Sequence, residues 1–218
     1  MIEGSPYFER HVARLLIVLY FCGATIHSLL DGETRQVESL WRLQLFDFWV
    51  REPGHLALAL LHGLTTGALT DHEAIRTLID RTLADAQADV RRVGLPGAPY
   101  NVLENFDESL SFLTSRALLS DRPSFGKGRG TAHQVVLETA GIGFVDRLLT
   151  ECPLFNWYRI QAESVAQFFP MLEKIDLAVM PYLAPELTPA QAASVPLIPF
   201  IAARAQQVFA APMLVTED

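Results

Sequence analysis

One stretch constrains the fold of this 218-residue chain more than any other: residues 101–149 carry a helix period, then two β-favouring runs around a glycine cluster, then a second helix period. Leu103, Phe106, Leu110, Leu113 and Ala117 recur at three- and four-residue intervals and predict one buried face of a helix from Asn101 to Leu119. The polar run Asp121-Arg122-Pro123-Ser124 ends that pattern, and Gly126, Gly128 and Gly130 supply the backbone freedom that a chain reversal needs. His133-Gln134-Val135-Val136-Leu137 suits a half-buried strand, with Thr139 as the expected N-cap of a helix over Ala140–Leu149.

Helix, strand, glycine-rich tip, strand, helix is the order of a winged-helix core. The expected fold class is therefore mostly α with a small β-hairpin (α+β), a winged-helix-like core embedded in a helical domain. In sequence order the expected segments are a helical region over residues 1–95, with room for a first winged-helix-like unit, the core over 96–150 with its wing at 120–138, and a helical extension over 151–218. Within the first segment the apolar pattern predicts helices over Phe8–Leu30, Glu33–Val50 and His55–Leu69, and a fourth that the cap-like run Thr70-Asp71-His72-Glu73 opens and that reaches about Val93. In the last, Phe155–Met180 reads as a helix that Pro170 should kink, and Pro181–Ala211 as short apolar turns between prolines. No internal repeat is visible.

Half of the residues are hydrophobic, enough for a sizeable core, and the formal net charge is -8. That balance disfavours non-specific attraction to phosphate backbones. Two cysteines, Cys22 and Cys152, suit buried free thiols in a reducing compartment, so a cytoplasmic location is expected. The apolar run Leu15–Leu30 is shorter than the roughly 20 residues a membrane span requires, and no membrane association is expected.

The outward face of the first helix would carry Glu104, Asp107 and Glu108, carboxylates that would repel DNA phosphates and suit a protein partner better. The wing gathers Arg122, Lys127 and Arg129, cations able to meet a phosphate backbone or an acidic protein surface, or to do no more than keep a hairpin solvated. Gly126-Lys127-Gly128-Arg129-Gly130-Thr131 lacks the Gly-Lys-Ser/Thr ending and preceding strand of a phosphate-binding loop. Glu52 and His55 have metal-ligand spacing, but Pro53-Gly54 breaks the helix that would align them; His55 and His62 find no third ligand, and His27, His72 and His133 stand apart. Neither cysteine is placed beside a base, and Trp41, Phe46, Phe48 and Trp49 read as core packing before they read as a ligand pocket. No catalytic residue, cofactor or metal is expected.

Four segments carry a family resemblance: Phe46-Asp47-Phe48, Arg91-Arg92, Ser109–Leu119 and Glu138–Leu149, with a weaker continuation through Trp157 and Phe168-Phe169. In these the chain resembles the small middle component of ABC three-component systems, Lamassu-type defence operons among them. An added helical stretch between His55 and Asn101 and a longer tail after Pro181 depart from that family. The resemblance implies a non-catalytic subunit between an SMC-like ABC ATPase and an effector nuclease, in a complex that senses foreign DNA. A winged-helix transcriptional regulator and a kleisin-associated winged-helix element of an SMC complex are the competing expectations.

Overall fold

The computed structural model describes residues 6–28, 32–84, 106–124, 132–172 and 197–210. It is mostly helical with a four-stranded antiparallel sheet, an α+β architecture. In chain order the elements are α1 (Pro6–Cys22), β1 (Ala24–Ser28), β2 (Gly32–Val37), α2 (Leu40–Arg51), α3 (Pro53–Thr65), α4 (His72–Ala84), α5 (Phe106–Ser115), β3 (Leu119–Ser124), β4 (Ala132–Leu137), α6 (Thr139–Glu151), a 3-10 turn at Pro153–Phe155, α7 (Asn156–Leu172) and α8 (Leu197–Ala210). Two compact units interleave along the chain: residues 1–51 with 93–166, and 52–92 with 167–218. This grouping differs from the sequence-order segments 1–95, 96–150 and 151–218.

In the first unit the expected hairpin is present. β3 and β4 pair antiparallel from Leu119↔Leu137 to Ser124↔Ala132. The preceding helix is shorter than its apolar pattern, because Ala117 leaves the helix with φ 55. Its N–H donates to Thr114 O at 2.9 Å while the Leu118 N–H donates to Leu113 O at 3.1 Å, a left-handed cap that closes the orphan carbonyls. Phe106, Ser109 and Leu113 form the buried stripe, Leu110 is half-buried and Ala117 exposed. Thr139 does not cap α6. It is the first helical residue, and its hydroxyl donates to Glu33 O at 3.0 Å, tying α6 to β2.

A second hairpin replaces much of the expected N-terminal helix pair. α1 stops at Cys22 because a Cβ on Gly23 would lie 2.5 Å from Leu19 O and 3.0 Å from Arg35 Cβ, so only glycine lets β2 come this close. Thr25 and Ile26 are β-branched, and Gly32 turns with φ 74. β1 pairs with β2, and β2 pairs with β4 through Arg35↔Leu137, Gln36↔Val136 and Val37↔Val135, giving the order β1-β2-β4-β3.

In that order the second strand of each hairpin lies at the centre of the sheet. β2 and β4 lie 100 positions apart in sequence, both hairpins keep a continuous antiparallel register, and a helix follows each, α2 from Leu40 after Val37 and α6 from Thr139 after Leu137. Each following helix packs on the inner strand of the other half, α2 against β4 and α6 against β2. The order helix, hairpin, helix thus occurs twice in the first unit.

The two glycines of α6 separate packing from propensity. A Cβ on Gly141 would collide with Leu118 O and sit 2.5 Å from Leu137 Cδ1, whereas one on Gly143 meets nothing within 4 Å. Gly143→Ala is expected to stabilise by about 1 kcal/mol through helix propensity. Gly141→Ala is expected to destabilise by roughly 1–3 kcal/mol, since a backbone carbonyl cannot swing aside. Urea midpoints of the two variants should move in opposite directions; a common direction would refute the packing of α6.

The second unit contains α3, α4 and α8, with α8 packed on both of the others. Pro53 opens α3 where its missing N–H costs nothing, and Gly67 follows the helix with φ 73. Within the expected cap segment Thr70-Asp71-His72-Glu73 the capping side chain is Asp71, whose Oδ1 accepts the Ala74 N–H at 3.0 Å. Residues 197–210 form a 14-residue helix where short turns were expected, because Pro199 falls in the first turn and leaves the interior uninterrupted. Pro170 lies within α7, two residues from its end.

Candidate interaction surface

The face marked by the sequence is the β3–β4 hairpin with α5 beside it. Arg122 lies on the outer strand β3, but its charge is engaged: Nη2 donates to Glu138 Oε1 at 2.8 Å and Nε to Ser120 Oγ at 3.0 Å. On the other face of the hairpin His133 Nδ1 and Asp121 Oδ2 lie 3.0 Å apart. Lys127 and Arg129, with the three glycines of the tip, lie outside the described residues, as does Glu104. Asp107 and Glu108 are exposed in the first turn of α5, where negative charge also favours the helix dipole. Among the described residues the hairpin is a locally neutralised surface, and α5 presents carboxylates.

An apolar feature on the same helix is not apparent from charge patterning. Phe112 projects from α5 with 37% exposure, meets Phe8 of α1 edge-on at 5.4 Å between ring centroids, and lies 5.5 Å from the Arg116 guanidinium. The signal was an aromatic on the polar side of an otherwise amphipathic helix.

The most concentrated charges lie inside the same unit. Arg14 on α1 and Asp47 on α2 are both buried, with Nε 2.7 Å from Oδ1; Arg51 Nε reaches Oδ2 at 2.9 Å, and the Arg14 guanidinium stands 5.9 Å from the Tyr158 ring centroid. Burial opposes both charges of the central pair. The two arginines overcome it for Asp47, whose carboxyl is held down at about 2, and Asp47 holds the Arg14 guanidinium above its ordinary range. His11 hydrogen-bonds Arg14 through Nδ1, so Nε2 carries the ring's proton, and burial followed by the Arg14 charge lowers its pKa to about 4. Perturbed groups gather at reactive centres, but also in structural ion clusters. Here the carboxylate is saturated by two guanidinium groups and closed from solvent, so the cluster fastens α1 to α2.

The remaining candidates separate. Glu52 is the N-cap position of α3 and His55 a buried residue inside it, with burial lowering the His55 pKa to about 4; His62 is in the last turn of α3. His72 opens α4 and packs against Phe209, and His27 is exposed on β1. Among the described residues no group of three His, Cys, Asp or Glu is arranged to hold a metal ion. Cys22 donates to Ala162 O at 3.4 Å and burial pushes its thiol far up, whereas Cys152 is exposed, correcting its expected place in the core. Phe46, Phe48 and Trp49 are buried and Trp41 is 54% exposed. No described helix is long and apolar enough to cross a membrane.

Burial of His11 and His55 predicts acid sensitivity. The unfolded histidines take up protons near pH 6.5, while the folded ones resist until about pH 4. Stability is therefore full above pH 6.5 and declines as the pH falls through that window, by at most about 3 kcal/mol for each histidine. Asp47 stays ionised throughout, and its contribution disappears only from pH 3.8 towards 2. His55→Leu should flatten part of the decline in urea midpoints; an unchanged slope would count against a neutral buried His55.

Comparison with protein-family models, with curated proteins and with solved structures finds no match.

Proposed function

We propose that this chain is a non-catalytic adaptor subunit, cytoplasmic, that bridges an SMC-like ABC ATPase and an effector nuclease in an anti-phage or anti-plasmid defence complex. Within it, α5, the β3–β4 hairpin and α6 act as a winged-helix-like docking core. What supports the reading is where the family-like segments fall. Ser109–Leu119 covers most of α5 and its left-handed cap, Glu138–Leu149 opens and builds α6, and Phe46-Asp47-Phe48 supplies the carboxylate that anchors α2. Three of the segments thus lie in the first unit, while Arg91-Arg92 fall outside the described residues.

The observation that carries the docking role is the charge of the α5 and hairpin surface. A duplex reader surrounds its recognition helix with unpaired cations. Here Asp107 and Glu108 are exposed on α5 and Arg122 is bound to Glu138, so the surface favours a protein partner over a phosphate backbone. Any contact with DNA falls to the tip, through Lys127 and Arg129, within the assembled complex.

Co-expression with the products of the adjoining genes tests the proposal. The expected result is a stable complex containing an SMC-like ATPase and a nuclease, with neither ATPase nor nuclease activity in this chain alone. Sequence-specific gel shifts by the isolated chain that survive raised salt would instead indicate a transcriptional regulator. Co-purification with a chromosome-organising SMC complex without an effector would indicate the kleisin-associated alternative. Replacing Lys127 and Arg129 with Glu should abolish DNA-stimulated activity of the complex while leaving its assembly intact; unchanged stimulation would remove the tip from DNA sensing.

A further inference from the structure

The seam between α1 and α5 holds two polar atoms that the protein itself leaves unpaired. Phe8 meets Phe112 and His11 meets Phe106, at 5.4 Å and 6.3 Å between ring centroids, so the two helices run antiparallel across it. Ser109 lies one turn from both phenylalanines, on the buried stripe of α5 midway between those contacts, and is fully closed from solvent. A buried hydroxyl inside a helix usually returns to the carbonyl one turn earlier, as Thr82 does to Leu78 O at 2.9 Å and Ser164 to Ile160 O at 2.6 Å. Ser109 does not. Its Oγ finds no hydrogen-bond partner within the protein, nor does the equally enclosed Nε2 of His11. Leaving such groups unpaired is costly.

We propose that one internal water is bound in this seam, accepting from His11 Nε2–H and donating to Ser109 Oγ. The two atoms suit a water and not an ion. Nδ1 of His11 pairs with the Arg14 guanidinium, which keeps the proton on Nε2 and leaves that nitrogen no lone pair for a metal. The charges of Arg14 and Arg51 both act on the imidazole and oppose a cation. An anion would find the same two guanidinium groups already engaged by the oxygens of Asp47. A water donates and accepts at once, and buried waters take up the polar groups that a fold leaves over. Through it α5 joins the hydrogen-bonded series His11, Arg14, Asp47 that fastens α1 to α2. The seam reaches solvent at Phe112, 37% exposed, which gives the water a route of exchange. Nothing in this arrangement depends on the adaptor role.

Oxygen-17 magnetic relaxation dispersion on the full chain counts long-lived internal waters. Ser109→Ala should lose one such water, His11→Phe the same one, and the double variant no more than either. Stability gives a second reading. Ser109→Ala also gains helix propensity, so its urea midpoint is set against that of Ser111→Ala, an exposed serine on the same helix. Ser109→Ala should unfold at lower urea than Ser111→Ala, because the bridge loses one of its two anchors. A serine that is merely buried without a partner would shift the other way, its hydroxyl being better removed. In the double-mutant cycle the combined loss of midpoint should be smaller than the sum of the single losses, since either substitution already breaks the bridge. A water count unchanged by both single variants would overturn the proposal. So would additive losses, or a Ser109→Ala midpoint at or above that of Ser111→Ala.

Discussion

Asp47→Ala is expected to destabilise the first unit by about 3–5 kcal/mol, the cost of leaving a buried guanidinium without its counter-ion. Arg14 is closed from solvent and makes its charged hydrogen bonds to Asp47, and Arg51 holds the second carboxylate oxygen. Truncation removes no large apolar surface, so a loss of this size isolates the electrostatic contribution. In a chain of this length it corresponds to a fall in melting temperature on the order of 10 °C. Arg14→Met combined with Asp47→Leu should recover most of the loss, because replacing both charges removes the desolvation cost together with the attraction. If Asp47→Ala unfolds at the midpoint of the unaltered protein, the buried cluster does not exist as described. Should the double substitution fare no better than the single one, the charges have a role beyond fastening α1 to α2.

The second large effect concerns the aromatic run of α2. Trp49 is fully buried, and Trp49→Ala should cost about 3–5 kcal/mol through lost transfer free energy and the cavity left behind. Trp41, eight residues earlier and more than half exposed, should cost no more than about 0.5 kcal/mol on the same substitution. The contrast separates packing from recognition: a substitution at Trp41 that leaves stability intact but weakens a partner complex would mark it as a contact residue. Equal losses at both positions would contradict the orientation of α2. Chemical denaturation followed by far-ultraviolet circular dichroism reads both, since it does not rely on the tryptophans being replaced.

The sequence was most legible where period and punctuation agree. The β3–β4 hairpin announces itself through three glycines beside a β-branched run, and the α4 cap through Asp71 before an amphipathic pattern. The first hairpin was hidden by its context. Ala24–Ser28 follows an apolar helix with neither a proline nor a charge to mark the break, and Asp31-Gly32 serves equally as a helix stop or a hairpin turn. Only the tertiary fact that Gly23 must admit β2 decides between them. The buried ion cluster was invisible for a related reason. Arg14, Asp47 and Arg51 stand on two helices, and a charge inside an apolar pattern looks like a lapse until its partner is located. The recurrence of helix, hairpin and helix left almost no trace in the sequence, where positions 100 apart carry unlike residues, Trp41 and Gly141 or Asp47 and Arg147. Backbone register survives such divergence, while side-chain chemistry does not.

The sheet also sets the order in which the protein can be completed. Its first hairpin closes locally, but the inner edge of β2 waits for β4, whose sequence follows 100 residues behind. At roughly 5–20 residues per second of translation, about 5–20 s pass before that strand leaves the ribosome. Throughout that interval the nascent first half carries an open inner strand, an edge exposed to mispairing until β4 arrives.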